Sequence, residues 1–145
     1  MLYPANFKED DKGFITVTFR DIPEAISCGK NEAEARSMAV DALRTAIEFY
    51  FEDKKQVPEP SAQEKDEFLI KLSASISNKI LLLNEMVKQN VSQTELAKRL
   101  NVSKQSVNRL IDINHATKID AIDKALNALG KEIEFNVKDL EFQQN

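Results

Sequence analysis

Cysteine is almost missing from this 145-residue chain, which has Cys28 alone. One thiol closes no internal disulfide and leaves no cysteine cluster for a metal site; the residue type is expected to be small and buried rather than reactive. Histidine is as scarce. His115 is the single one, and with no nucleophile beside it a local hydrogen bond or a phosphate contact is expected of it rather than general-base chemistry. No apolar run approaches the roughly 20 residues that span a bilayer. The opening Met1-Leu2-Tyr3-Pro4-Ala5-Asn6 lacks the basic and apolar regions of a signal peptide. A cytoplasmic location with no membrane partner is the expectation. No internal repeat is evident.

What the chain does have is a globular balance, with 42% hydrophobic and 30% charged residues. Its length is that of one ordinary domain or two small ones. Two small halves would be marginal alone, because the buried fraction of surface falls with size, so a homodimer or higher homo-oligomer is expected. The net charge of −4 is unevenly spread. Residues 1–60 hold 8 Lys and Arg against 12 Asp and Glu, whereas residues 75–130 hold 8 against 5. Phosphate binding depends on local basic surface, not on the sum over the chain. The acidic half suits a basic partner.

The N-terminal part reads β-β-β-α-β. Tyr3, Ala5 and Phe7 alternate, as do Ile15, Val17 and Phe19, around Asp10-Asp11-Lys12-Gly13, the pattern of a hairpin. Asp21-Ile22-Pro23 stops the second strand, and a short third strand is expected over 25–28. Asn31 is placed to cap a helix running to about Asp53, with Ala35, Ala39, Ala42, Ala46 and Phe49 at helical spacing. Val57-Pro58-Glu59-Pro60-Ser61 is stiff and polar, and 54–67 reads as a linker. Phe68, Ile70 and Leu72 alternate as a fourth strand. The expected division is thus 1–72, a helical domain over 76–130, and a tail over 131–145. In that tail Ile133, Phe135 and Val137 alternate as a terminal strand, which would need a second subunit to complete its ladder. The fold class is α+β.

Residues 91–111 carry the strongest signal. Ser92 and Glu95 have the spacing of a capping box, with Val91 and Leu96 at the positions of a hydrophobic staple. Asn101 falls where a turn needs a left-handed residue. Ser103 can cap a second helix, with Val102 and Val107 repeating the staple. Leu96, Ala97, Leu100, Val102, Val107 and Leu110 face inward in this reading, and Ala97 lets the helices approach. Two capped helices joined by a short turn make a helix-turn-helix. The second presents Lys104, Gln105, Ser106, Asn108 and Arg109, the residue types that read bases: Gln or Asn for adenine, Arg for guanine. Gln93 and Thr94 can reach phosphates. A polar helix face alone is ordinary surface; the combination with caps, staples and turn points to double-stranded DNA. The expected DNA-binding residues are Gln93, Thr94, Ser103, Lys104, Gln105, Ser106, Asn108 and Arg109. Thr117 and Asp120 are expected to cap a last helix, through Ile122, Leu126 and Leu129 to Gly130.

Residues 80–130, from Ile80-Leu81-Leu82-Leu83 through Ser92-Gln93-Thr94-Glu95-Leu96-Ala97 to Ala125-Leu126-Asn127-Ala128-Leu129-Gly130, resemble the phage-repressor (Xre/Cro) class of helix-turn-helix domains. Asn101 departs mildly from the usual Gly. More broadly, residues 1–135 resemble the HicB antitoxin family, through Asp21-Ile22-Pro23-Glu24-Ala25, Asp41-Ala42-Leu43, Phe49-Tyr50-Phe51-Glu52-Asp53 and His115-Ala116-Thr117-Lys118-Ile119-Asp120-Ala121. The resemblance implies a truncated ribonuclease-H-like N-terminal fold that masks a small RNA-cleaving HicA toxin. It also implies a C-terminal domain that represses the shared operon.

Two other readings stay open: a repressor whose N-terminal part senses a small ligand, and an RNA-directed binder or nuclease. Two-metal hydrolysis needs carboxylates converging on ions about 4 Å apart. Asp21, Glu48, Glu52 and Asp53 are the candidates, but three of them sit at a helix end where solvated charge is ordinary. No catalytic residue, metal ligand or cofactor is expected.

Overall fold

A computed structural model describes residues 1–140. The chain runs β1 (Leu2–Glu9), β2 (Ile15–Thr18), β3 (Ile26–Gly29), α1 (Glu32–Glu52), β4 (Phe68–Lys71), then α2 (Ala74–Gln89), α3 (Gln93–Leu100), α4 (Lys104–Leu110) and α5 (Ile119–Ala128). The α+β order expected from the alternation is present.

The sheet is antiparallel, in the order β3-β2-β1-β4. β1 is shared between two neighbours: Leu2–Ala5 pair with β4 and Asn6–Glu9 with β2. Pro4 therefore sits where β1 has β4 alone beside it, the kind of place a missing N–H is tolerated. Tyr3 opposite Ile70 and Phe7 opposite Val17 put the apolar alternates on one face, and α1 lies across that face. Asn31 caps α1 by accepting from the Glu34 amide at 2.9 Å. Its buried side is Ala35, Ala39, Leu43, Ala46, Ile47 and Phe51; Phe49, expected inward, is 59% exposed, because the stripe drifts around a helix this long. Small residues let α1 come close. A Cβ on Gly29 would lie 2.4 Å from the Ala35 amide nitrogen, so this position in β3 has no room for a side chain.

Cys28 is exposed, not buried as its residue type led one to expect. The register explains this: Cys28 pairs with Thr16 and Ile26 with Thr18, on the face of the sheet turned away from α1. Directly opposed residues share a face, and both threonines are exposed too.

α2 is the element common to both halves. Ile76, Ser77, Lys79, Ile80, Leu82, Leu83, Asn84 and Met86 are all buried, more than one side of a surface helix would be. The α-ammonium of Met1 donates to Ser77 Oγ at 2.8 Å. The buried Asn84 side chain accepts from the Val57 amide at 2.8 Å and donates to the Val57 carbonyl at 3.0 Å. The 54–67 segment is pinned from the sheet side as well, Tyr3 Oη donating to the Pro58 carbonyl at 2.7 Å and the Ser61 amide to Asp21 Oδ2 at 2.9 Å. Burial and the neighbouring acids hold the Tyr3 phenol well above its usual range.

The terminal strand expected to pair with a second subunit has no ladder within one chain. Residues 131–140 belong to no ladder, and Phe135 and Val137 are 75% and 96% exposed. No strand among the described residues pairs with them, and a segment without a neighbour has nothing to pair its backbone. The remainder of the tail, 141–145, lies outside the described residues.

Candidate nucleic-acid interface

Ser92 Oγ accepts from the Glu95 amide at 3.1 Å, starting α3. Glu95 does not complete the box; its carboxylate accepts from Arg99 Nε at 3.2 Å, one turn on. Asn101 ends α3 in the left-handed conformation at φ 55°, ψ 47°, where its short polar side chain is tolerated. Asn90 ends α2 the same way at φ 55°, a use of asparagine that the sequence pattern had not singled out. Ser103 then caps α4, accepting from the Ser106 amide at 3.1 Å.

The interior of this unit matches the inward pattern with one exception. Leu96, Ala97, Val107 and Leu110 are buried and Leu100 is half-buried, but Val102 is 44% exposed. Val91 completes the first staple; Val102 instead borders a groove with Leu100, Leu110, His115 and Ala121. The last helix is also capped differently. Lys118 occupies the cap position with no side-chain bond. Thr117 Oγ1 is engaged elsewhere, 3.2 Å from His115 Nδ1 and donating to the Arg109 carbonyl at 3.4 Å. His115 thus has the local bond expected of it.

The outward residues fall into two adjoining clefts. Gln93, Thr94 and Lys104 line one of about 470 Å³. Gln105, Asn108 and Arg109 line another of about 340 Å³, whose far wall is the end of α1 with Glu48 and Glu52. Lys54, left-handed at φ 54°, borders both. Lys104, Gln105, Asn108 and Arg109 are exposed, and none donates a side-chain bond within the protein among the described residues. Ser106 differs: it is half-buried and its hydroxyl lies 3.0 Å from that of Ser103. Gln93 is half-buried and Thr94 exposed. The arrangement can present donors and two cations to a duplex edge, with Val107 and Leu110 holding the helix from behind.

Three residues at or behind this surface were not anticipated. Lys79, on α2, is 1% exposed and donates to the carbonyls of Arg109 at 3.1 Å, Asp112 at 2.6 Å and His115 at 2.6 Å. Burial lowers its pKa, with Asp112 opposing. Asn114 joins the loop after α4 to α1, accepting from Arg44 at 2.7 Å and donating to Glu48 Oε1 at 2.7 Å. Lys54 is the third. A lysine between Ile76 and Leu83 on an apolar stripe was the available signal for Lys79; nothing local marks Asn114.

The carboxylates named for a nuclease do not assemble. Asp21 is taken up by Ser61 and Glu48 by Asn114. No group of three or more His, Cys, Asp or Glu among the described residues could hold a metal ion. No helix among them is long and apolar enough to cross a membrane.

An antiparallel sheet backed by one long helix, continued into a helix-turn-helix with its polar edge open, is the build of a DNA-binding regulator. The comparisons give its family. Residues 2–81 match the family described as HicB_like antitoxin of bacterial toxin-antitoxin system, and residues 82–136 match the helix-turn-helix family. Antitoxin HicB 2 of Photorhabdus laumondii is 47% identical over 134 residues, covering 92% of this chain and 94% of the relative. Antitoxin HicB of Escherichia coli K12 is 44% identical over 133 residues, 92% of this chain and 96% of the relative. Antitoxin HicB of Pseudomonas fluorescens is 33% identical over 130 residues, 89% of each. The chain belongs to the HicB antitoxin family, and is a regulatory protein rather than an enzyme.

Proposed function

We propose that this protein binds and neutralises a HicA-type RNA-cleaving toxin through residues 1–72 and represses its own operon through residues 76–130, working in the cytoplasm. The observation that carries the DNA half is the split character of α4. Val107 and Leu110 are buried while Lys104, Gln105, Asn108 and Arg109 stand exposed, as entry into a major groove requires. Gln93 and Thr94 flank them as phosphate contacts, and Ser103 and Ser106 shape the start of the reading helix. The toxin half is supported by family membership and by the acidic balance of residues 1–60, which suits a basic RNA-binding partner.

Operator binding would be by a homodimer or higher homo-oligomer. The Ile133-to-Val137 alternation, in which Phe135 and Val137 are exposed, would find its ladder against the same segment of a second chain. The test is a gel shift of the full chain on DNA upstream of its gene, with and without the small basic protein encoded beside it. Retardation of that fragment in preference to random DNA, together with co-purification of the neighbour, is the expected result. A chain that captures the neighbour but ignores the upstream fragment would refute the repressor half; metal-dependent RNA cleavage would favour the nuclease reading.

A further inference from the structure

The buried lysine behind α4 has a role that packing alone does not explain. An ammonium has three N–H donors, and Lys79 uses them on three carbonyls, those of Arg109, Asp112 and His115. None of the ion pairs among the described residues includes it. Burying a charge is costly unless it is fully bonded, and an apolar side chain of similar length would fill the space more cheaply. What only the ammonium supplies is direction.

That direction falls where the other support of α4 is long: the Thr117 hydroxyl and the Asp112 amide each reach the Arg109 carbonyl only at 3.4 Å. α2 and α3 each end on a left-handed asparagine, but α4 ends on Ile111 at φ −112°. A seven-residue helix does not hold itself, and its last carbonyls need partners. Lys79 provides one from α2, with positive charge at the end of a helix where it is favoured. The same nitrogen holds Asp112 and His115, fixing the loop from which Asn114 reaches Arg44 and Glu48 of α1.

We infer that Lys79 is a positioning residue for DNA reading: seated on the carbonyls of Arg109, Asp112 and His115, its ammonium sets the angle at which α4 presents Asn108 and Arg109. This rests on the DNA-binding reading proposed above. Lys79 is 1% exposed and its donors are taken by carbonyls, leaving none for a base or phosphate, so its effect is on discrimination, not on the number of backbone contacts.

The experiment compares full-length protein with Lys79→Met and Lys79→Arg, measuring affinity for the upstream operator and for a scrambled duplex at several salt concentrations. Fold is followed by circular dichroism and thermal melting. A folded Lys79→Met should lose about tenfold or more on operator, the scale of one misplaced base reader, and about twofold or less on scrambled DNA, with its salt slope unchanged. Lys79→Arg, which keeps the charge but cannot aim a planar fork at three carbonyls, should fall between. Folded Lys79→Met with the parent's discrimination overturns the inference. Where Lys79→Met fails to fold, Lys79→Arg decides: reduced discrimination supports the role and full discrimination overturns it. A parent protein that does not discriminate operator from scrambled DNA refutes the DNA reading itself and this inference with it.

Discussion

The sheet half and the helix-turn-helix half hold their shapes by different means. Around α1 the work is done by area: Tyr3, Val17, Leu43, Ile47 and Ile70 are all at most 3% exposed, spread over three strands and a helix of 21 residues. Around α3 and α4 there are two helices of 8 and 7 residues, too short to persist alone. Their geometry comes from single polar groups at defined points: Ser92, Ser103, Asn101 and Lys79. A core built on area tolerates surface change and resists loss of volume, whereas a unit built on caps shifts in angle when one atom goes. That suits a surface whose task is to present donors at a fixed pitch.

The largest effect should come from cutting into the area-based half. Leu43→Ala removes a fully buried side chain and is expected to cost about 2–5 kcal/mol in denaturant unfolding. Because α2 belongs to both halves, binding Met1 through Ser77 and Val57 through Asn84, the loss should appear in one transition followed equally by sheet and helix probes. Two separated transitions, with the helical one unmoved by Leu43→Ala, would show that the halves stand independently and would break the contrast as drawn.

Next in size is the reading helix itself. Arg109→Ala should lower operator affinity by about 1–3 kcal/mol if its guanidinium reads a base, while leaving the melting temperature near that of the parent, since the side chain is exposed. Equal losses on operator and random DNA would reduce Arg109 to a phosphate contact. Capture of the toxin should be untouched, and its loss alongside DNA binding would show that the two tasks are not divided between the halves.

How far these features could be read from residues alone follows the same contrast. Period-two alternation located β1, β2 and β4, and helical spacing located α1, because burial repeats along the chain. Both serine caps and the left-handed Asn101 were legible since a cap acts within three or four residues. Long-range polar bonds were not: Asn114 to Glu48 and Lys79 to His115 join positions 66 and 36 apart, and no local pattern encodes them. Thr117 misled for that reason, its hydroxyl going back to the end of α4 instead of forward to α5. Val102 and Phe49 misled differently. Each sits at the margin of an apolar stripe, where the period fixes a direction only to within a fraction of a turn.

The caps give a third, smaller test. Ser92→Ala and Ser103→Ala each remove an acceptor for a helix-start amide, at 3.1 Å in both cases, and each is expected to cost about 1 kcal/mol of stability. The two should differ in DNA binding. α3 retains the buried Val91 and Leu96 around its start, whereas the staple around Ser103 has an exposed Val102. Ser103→Ala should therefore loosen α4 more than Ser92→Ala loosens α3, and show it as the greater loss of operator discrimination. Equal losses would mean that the second staple is dispensable.

The smallest expected change is in ionic response rather than in affinity at one condition. Lys104 opens α4, exposed and bordering the cleft that holds Gln93 and Thr94. If Lys104 meets phosphate as a point charge, as proposed, Lys104→Ala should weaken operator and random DNA alike and lower the magnitude of the slope of log affinity against log salt by about 1. Arg109→Ala, if it removes a base reader, should alter discrimination and leave that slope nearly as it was. The pair separates the two ways a cation can serve one helix: a slope unmoved by Lys104→Ala would take Lys104 off the phosphates, and a slope moved equally by both variants would erase the distinction between positioning and reading along α4.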